Sequence, residues 1–247
     1  MMFLLLWQRL TEFQLYVVLF VAGAAVCHAA TVESKPPGAD STKIEGGIYL
    51  DPATSPYIAY IHTPTFACSG VLISSKSVLT AKHCIHGAEG AIRKGTYLVV
   101  LGRVVHKATS SFTLGTYDIG IVHLREPIRS IRPIKVSPLS KAPLGVSVFV
   151  EGYGRTELGQ FGYLKGAYLQ VTSLSNRGAM FSAEDLSTGA TPCYGDSGGP
   201  ALVNYKGQPT VLGITVSVDN TSCAYGYPSN FINVGYPSIH RFISAHQ

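Results

Sequence analysis

The sequence predicts an all-β fold, a barrel or a sandwich, on three observations. Apolar runs are short and rich in β-branched residues: Val71 to Ile73, Ser77 to Thr80, Tyr97 to Leu101, Ile119 to Leu124, Val146 to Val150, Thr210 to Val218 and Phe231 to Val234. Gly, Pro, Ser and Asn divide them, and 26 Gly and 14 Pro in 247 residues supply turns after every run. No long stretch repeats its apolar residues at helical spacing. The exception is the C-terminus. There Pro237-Ser238 opens a turn with Ser238 as N-cap, and Ile239, Phe242 and Ile243 share one face of a helix expected over about 238–246.

Taken in order, the chain begins with an apolar run from Leu15 to Cys27 that ends in the small residues Ala29 and Ala30. The run is too short for a membrane span, which needs about 18 or more apolar residues, and fits the apolar part of a signal peptide over 1–30. Secretion to the extracellular space is the expectation, with no stable membrane association; the alternative is an uncleaved anchor. The segment before the run is atypical, greasy from Met1 to Trp7 and then broken by Gln8, Arg9 and Glu12. Residues 31–43 are polar, contain Pro36-Pro37-Gly38, and read as a linker or propeptide. The ordered part starts at Ile44. With 46% hydrophobic and 13% charged residues, this chain can bury a core, which excludes disorder over most of its length. The net charge of +5 is scattered along the sequence, so no basic stripe for nucleic acid emerges.

Of five cysteines, signal removal would take Cys27 and leave Cys68, Cys84, Cys193 and Cys223. An even number in an oxidising compartment points to two disulfides, with three connectivities open. None of the spacings matches a zinc-binding CxxC pair, so no metal is expected.

Three polar positions stand out. Ser197 lies in Thr191-Pro192-Cys193-Tyr194-Gly195-Asp196-Ser197-Gly198-Gly199-Pro200, where the flanking glycines expose a nucleophile and leave backbone N–H groups to face an oxyanion. His83 ends the run Leu79-Thr80-Ala81-Lys82-His83-Cys84. Asp118 directly precedes the apolar strand that begins at Ile119. A serine hydroxyl needs a base, an imidazole supplies one near neutral pH, and a carboxylate fixes the imidazole's tautomer. Gly195-Asp196-Ser197-Gly198-Gly199 also fits the nucleophile elbow of α/β-hydrolases, with Asp219 and His240 following in the required order. That fold needs helices between its strands, and they are missing. It would also leave His83 and Asp118 unused.

The segments Cys68-Ser69-Gly70-Val71-Leu72-Ile73, Thr80-Ala81-Lys82-His83-Cys84, Tyr117-Asp118-Ile119 and Gly195-Asp196-Ser197-Gly198-Gly199-Pro200 resemble the chymotrypsin/trypsin family of serine proteases. The resemblance covers nearly everything after residue 43. It implies two six-stranded antiparallel Greek-key barrels, at about 44–135 and 136–235, with the site in the cleft between them. It implies a secreted endopeptidase, acting through an acyl-enzyme, with His83, Asp118 and Ser197 catalytic and the Gly195 and Ser197 N–H groups as oxyanion hole. It pairs Cys68 with Cys84 and Cys193 with Cys223. It also implies a zymogen: cleavage after Lys43 would free the ammonium of Ile44 to pair with Asp196, although Glu45 departs from the usual apolar residue. The expected partners are polypeptide substrates, protein inhibitors and an activating protease, for a monomer needing no cofactor. The alternative is a secreted homologue that binds without cutting. The intact triad argues against it, while Lys82, where the family usually has Ala, departs from the pattern.

By the same resemblance Thr191 takes the place of the aspartate with which trypsins bind Arg or Lys. Ser217-Val218-Asp219 resembles the Ser-Trp-Gly wall, and Ser229 stands where another pocket glycine falls. The expected pocket is narrow and non-tryptic, with Asp219 either restricting it, attracting a basic side chain, or facing solvent. Asn220-Thr221-Ser222 is a glycosylation sequon beside that wall, making Asn220 a candidate acceptor.

Overall fold

The computed structural model describes residues 44, 47–63, 65–86, 89–156, 159–219, 223 and 226–247. The expected signal peptide and propeptide, Lys43, Glu45 and the sequon at Asn220 lie outside the described residues.

The first strands are β1 (Ile48–Tyr49), β2 (Ile58–His62), β3 (Ala67–Leu72) and β4 (Ser77–Thr80). A short helix α1 (Glu89–Lys94) precedes β5 (Leu98–Leu101), β6 (Val104–Thr113) and β7 (Gly120–Leu124). Then come β8 (Lys135–Val136), β9 (Ser147–Gly152), β10 (Lys165–Ser175) and β11 (Met180–Glu184). The chain ends in β12 (Pro200–Tyr205), β13 (Gln208–Val218), β14 (Ser229–Asn233) and helix α2 (Pro237–His246).

Two closed six-stranded rings result. The first runs β2-β3-β4-β7-β6-β5, every pair antiparallel. The second runs β9-β10-β11-β14-β13-β12, closed by β9 against β10. Closure removes the edges that an open sheet would present to other chains. Inward alternation is plain on β10, where Ala167, Leu169 and Val171 are buried and Tyr168 and Gln170 exposed. β1, from the stretch that the sequence reading gave to the first barrel, pairs instead with β10 of the second. Ile44, three residues before Gly47, packs in the second barrel's core.

α2 buries Ile239, Phe242 and Ile243, the face expected from the sequence. Its start differs: Pro237 occupies the first turn, and Tyr236 stands at the cap position without a side-chain cap. Proline's fixed φ and missing N–H suit the first helical position, which leaves Ser238 inside the helix. α1 and the strands β1, β2, β6, β8, β10, β11 and β12 fall outside the apolar runs read from the sequence. β6 is largely exposed and mixes Lys, Thr and Ser with its apolar residues, so its sequence lacks a core signal.

Where β9 crosses towards the first barrel it carries Glu151, only 1% exposed. The hydroxyl of Ser55 donates to its Oε1, while Oε2 has no partner among the described residues. Burial pushes this carboxyl up to about 7 against the Ser55 hydrogen bond. The neutral acid is therefore favoured below about pH 7: its contribution to stability is fully present below the unfolded carboxyl range and is withdrawn as pH rises through about 7. Glu151→Gln is expected to flatten the fall in Tm between pH 5 and pH 8.5, which thermal melts at the two pH values would measure. An unchanged pH slope would show that Glu151 does not titrate in this range.

Candidate active site

His83 lies in a 3-10 turn, Lys82–Cys84, at the end of β4, and Asp118 stands in the turn that joins β6 to β7. β4 pairs directly with β7 through Leu79–Ile121 and Thr80–Gly120, which brings the ends carrying the two residues together. The His83 backbone N–H donates to Asp118 Oδ1 at 2.9 Å, and His83 Nδ1 lies 2.7 Å from Oδ2. Burial raises the Asp118 carboxyl, but His83's hydrogen bonds and charge, with that of Lys82, outweigh it and hold the pKa below the ordinary value. An ionised carboxylate only accepts, so Nδ1 carries the proton and Nε2 is left bare as a base. The disulfide Cys68–Cys84 ties this turn to β3. Cys68, His83 and Cys84 bring ligand-type atoms within 4.8 Å of each other. Both sulfurs are consumed in the disulfide, so the group offers a metal one imidazole only.

Ser197 follows a turn held from several sides. Gly195 and Gly198 take φ of +90° and +85°, in the left-handed region that glycine tolerates. Gly198 N–H donates to Thr215 O, and Ser69 N–H donates to Ser197 O, each at 2.8 Å. Among the described residues the N–H groups of Gly195 and Ser197 have no protein acceptor, as an oxyanion site requires. The disulfide Cys193–Cys223 joins this turn to the segment before β14. Both disulfides are those expected from the resemblance.

Ser197 and His83 line one cavity of about 280 Å³. Among the described residues no hydrogen bond joins the Ser197 hydroxyl to the imidazole; the two meet across the cavity. Its other walls come from Thr215, Val216, Ser217 and Val218 of β13, from Tyr194 and from both cysteines of the second disulfide. Thr215 and Val216 were missed in the sequence. Period-two alternation back from Ser217 points to Thr215, and the bulge between Thr215 and Ser217 is the irregularity that lets Val216 line it too.

The remaining pocket candidates fall in different places. Thr191 and Ser229 are completely buried and neither lines the cavity. Thr191 Oγ1 lies 3.3 Å from the carbonyls of Gly189 and Tyr227. The hydroxyls of Ser229 and Thr215 have no partner among the described residues. Asp219 is exposed and does not line the cavity, and its Oδ1 accepts from Asn230 Nδ2 at 2.6 Å.

Asp196, directly before Ser197, is fully buried. Gly154 N–H donates to Oδ1 at 2.8 Å and Cys193 N–H to Oδ2 at 2.9 Å. Burial pushes its pKa up to about 6, opposed by these two bonds and by the charge of Lys165. In the uncut chain the Ile44 nitrogen is a peptide amide, and the Ile44 carbonyl accepts from Lys165 Nζ at 3.4 Å. Lys165, 1% exposed, is the buried cation that the sequence did not single out.

Known proteins are similar to this chain in sequence. The Trypsin family model matches residues 44–240. Brachyurin of Leptuca pugilator is 29% identical over 78% of this chain and 94% of its own length. Trypsin II-P29 of Gallus gallus is 29% identical over 89% of this chain and 93% of its own. Trypsin iota of Drosophila melanogaster reaches 32% over 56% of this chain and 64% of its own. Two closed β-barrels, two disulfides and a match that spans nearly every described residue place the chain in the trypsin family of serine proteases.

Proposed function

We propose that this chain is a secreted serine endopeptidase, made as a zymogen and activated by cleavage after Lys43. The observation that carries the reading is the doubly bonded His83–Asp118 pair whose His83 lines one cavity with Ser197. With Asp118 holding the proton on Nδ1, Nε2 takes the proton of Ser197 as Oγ attacks a peptide carbonyl. The oxyanion is held by the N–H groups of Gly195 and Ser197. His83 then protonates the leaving amine, and water hydrolyses the resulting ester by the same route in reverse order. Once the chain is cut, the new ammonium of Ile44 replaces a neutral amide near the second barrel's core and pairs with Asp196, fixing the turn before Ser197.

The test is cleavage at Lys43 followed by labelling with a serine-reactive phosphonate. Wild type is expected to label and turn over peptides, and Ser197→Ala to do neither. Absence of labelling after verified cleavage would favour the non-cutting, binding homologue.

The substrate pocket supports a small or medium neutral side chain at P1, the residue before the cut. Its walls are Thr215, Val216, Ser217 and Val218 with Tyr194 and the Cys193–Cys223 disulfide, its expected floor residue Thr191 is buried outside the lining, and Asp219 is engaged by Asn230. A P1-varied peptide library is expected to rank Ala, Val, Ser and Thr at least about tenfold above Arg and Lys, since a cation there would lose its hydration without a carboxylate partner. Asp219→Asn is expected to leave that ranking unchanged. A strong Arg or Lys preference lost in Asp219→Asn would instead assign cation recognition to Asp219.

A further inference from the structure

Lys82 stands directly before the catalytic-type histidine, where a long charged side chain needs somewhere to go. Its ammonium donates to the carbonyl oxygen of Gly115 at 3.2 Å, 33 positions along the chain. Gly115 belongs to the turn that presents Asp118. That turn is closed on itself: Leu114 N–H donates to Ile119 O, Tyr117 N–H to Leu114 O, and Ile119 N–H to Tyr117 O, at 2.9 to 3.2 Å. Fixing the Gly115 carbonyl therefore fixes the frame on which the carboxylate sits.

Asp118 has reason to need the support. Its side chain is 31% exposed, and both hydrogen bonds to it come from His83 among the described residues. On its other side lies a cavity of about 490 Å³, lined by Tyr117, Arg177 and Tyr236 among others. Among the described residues Arg177 makes no ion pair with Asp118 across it. The titratable groups facing Asp118 are thus His83 and Lys82 from the turn after β4, Tyr117 beside it, and Arg177 and Tyr236 from the second barrel.

We propose that Lys82 is a positioning residue of the triad, tying the histidine turn to the aspartate turn from outside the His83–Asp118 bonds. The proposal rests on the reading that His83, Asp118 and Ser197 form the catalytic triad. Two effects act in the same direction. The hydrogen bond limits how far the two turns can separate, which keeps the imidazole aligned. The positive charge also favours the ionised carboxylate, screened in part because the ammonium is solvent-accessible.

The test uses activated wild type, Lys82→Met and Lys82→Arg, with active sites counted by phosphonate titration so that misfolded protein is not scored. Lys82→Met is expected to lose roughly three- to tenfold in kcat/KM, mostly in kcat, with the acid limb of the pH profile moved up by about half a unit. Lys82→Arg, which keeps charge and donor, is expected to retain most of the rate and the wild-type acid limb. A Met variant with wild-type rate and acid limb, or an Arg variant as impaired as Met, overturns the proposal. A readout independent of turnover is the carboxyl-carbon NMR titration of Asp118 in the Ser197→Ala background. There Lys82→Met is expected to raise the midpoint, and an unmoved midpoint overturns the proposal. Inactive wild type would sink the protease reading alone, and the NMR titration would still decide the role of Lys82.

Discussion

The burial of one carboxylate, that of Asp196, organises the site more than any other interaction. A charge without access to water is tolerated only where donors surround it. Here the donors come from two separated segments: Gly154, just beyond β9, and Cys193, at the start of the nucleophile turn. Meeting the carboxylate's needs therefore draws the turn against β9. The same demand explains the local sequence, because a side chain at Gly154 would collide with the carboxylate oxygens. Lys165 adds a buried positive charge from the neighbouring strand β10, whose register sets it opposite Gly152.

The two barrels differ in how they serve the cleft. The first carries His83 and Asp118 on turns at one end of the adjacent strands β4 and β7, so their spacing follows from ordinary antiparallel pairing. The second carries Ser197 on a turn that no ladder supports, and a disulfide, left-handed glycines and side-chain bonds take the ladder's place. The helix α2 closes the first barrel from outside: the carbonyl of His246 lies 2.7 Å from His123 Nε2, and Phe112 packs on the His246 ring.

What could be read in the sequence was the part with local signatures. Ser197 sits among glycines, His83 beside a cysteine and Asp118 before a strand, and those patterns survive without any three-dimensional information. The closed barrels and both cysteine pairings also agree with what the quoted segments implied. The pocket was harder to read because its shape depends on a β-bulge at Thr215–Ser217, which shifts the side-chain order by one and is invisible in a pattern of alternation. Lys165 and Glu151 escaped notice for another reason. A lone charged residue in a strand reads as surface, and only the closure of the second barrel and its seam with the first buries these two.

Ser69, whose whole surface is buried, touches three of these parts at once. Its hydroxyl donates to Gly195 O and accepts from Tyr153 N–H, each at 2.8 Å, its own N–H holds Ser197 O, and its carbonyl accepts from Thr80. It is also the neighbour of Cys68, whose partner is the residue after His83. The turns that carry His83 and Ser197 are thus both joined to the one strand β3, through Cys68 and Ser69. A change that displaced Ser69 would therefore disturb both sides of the cleft together.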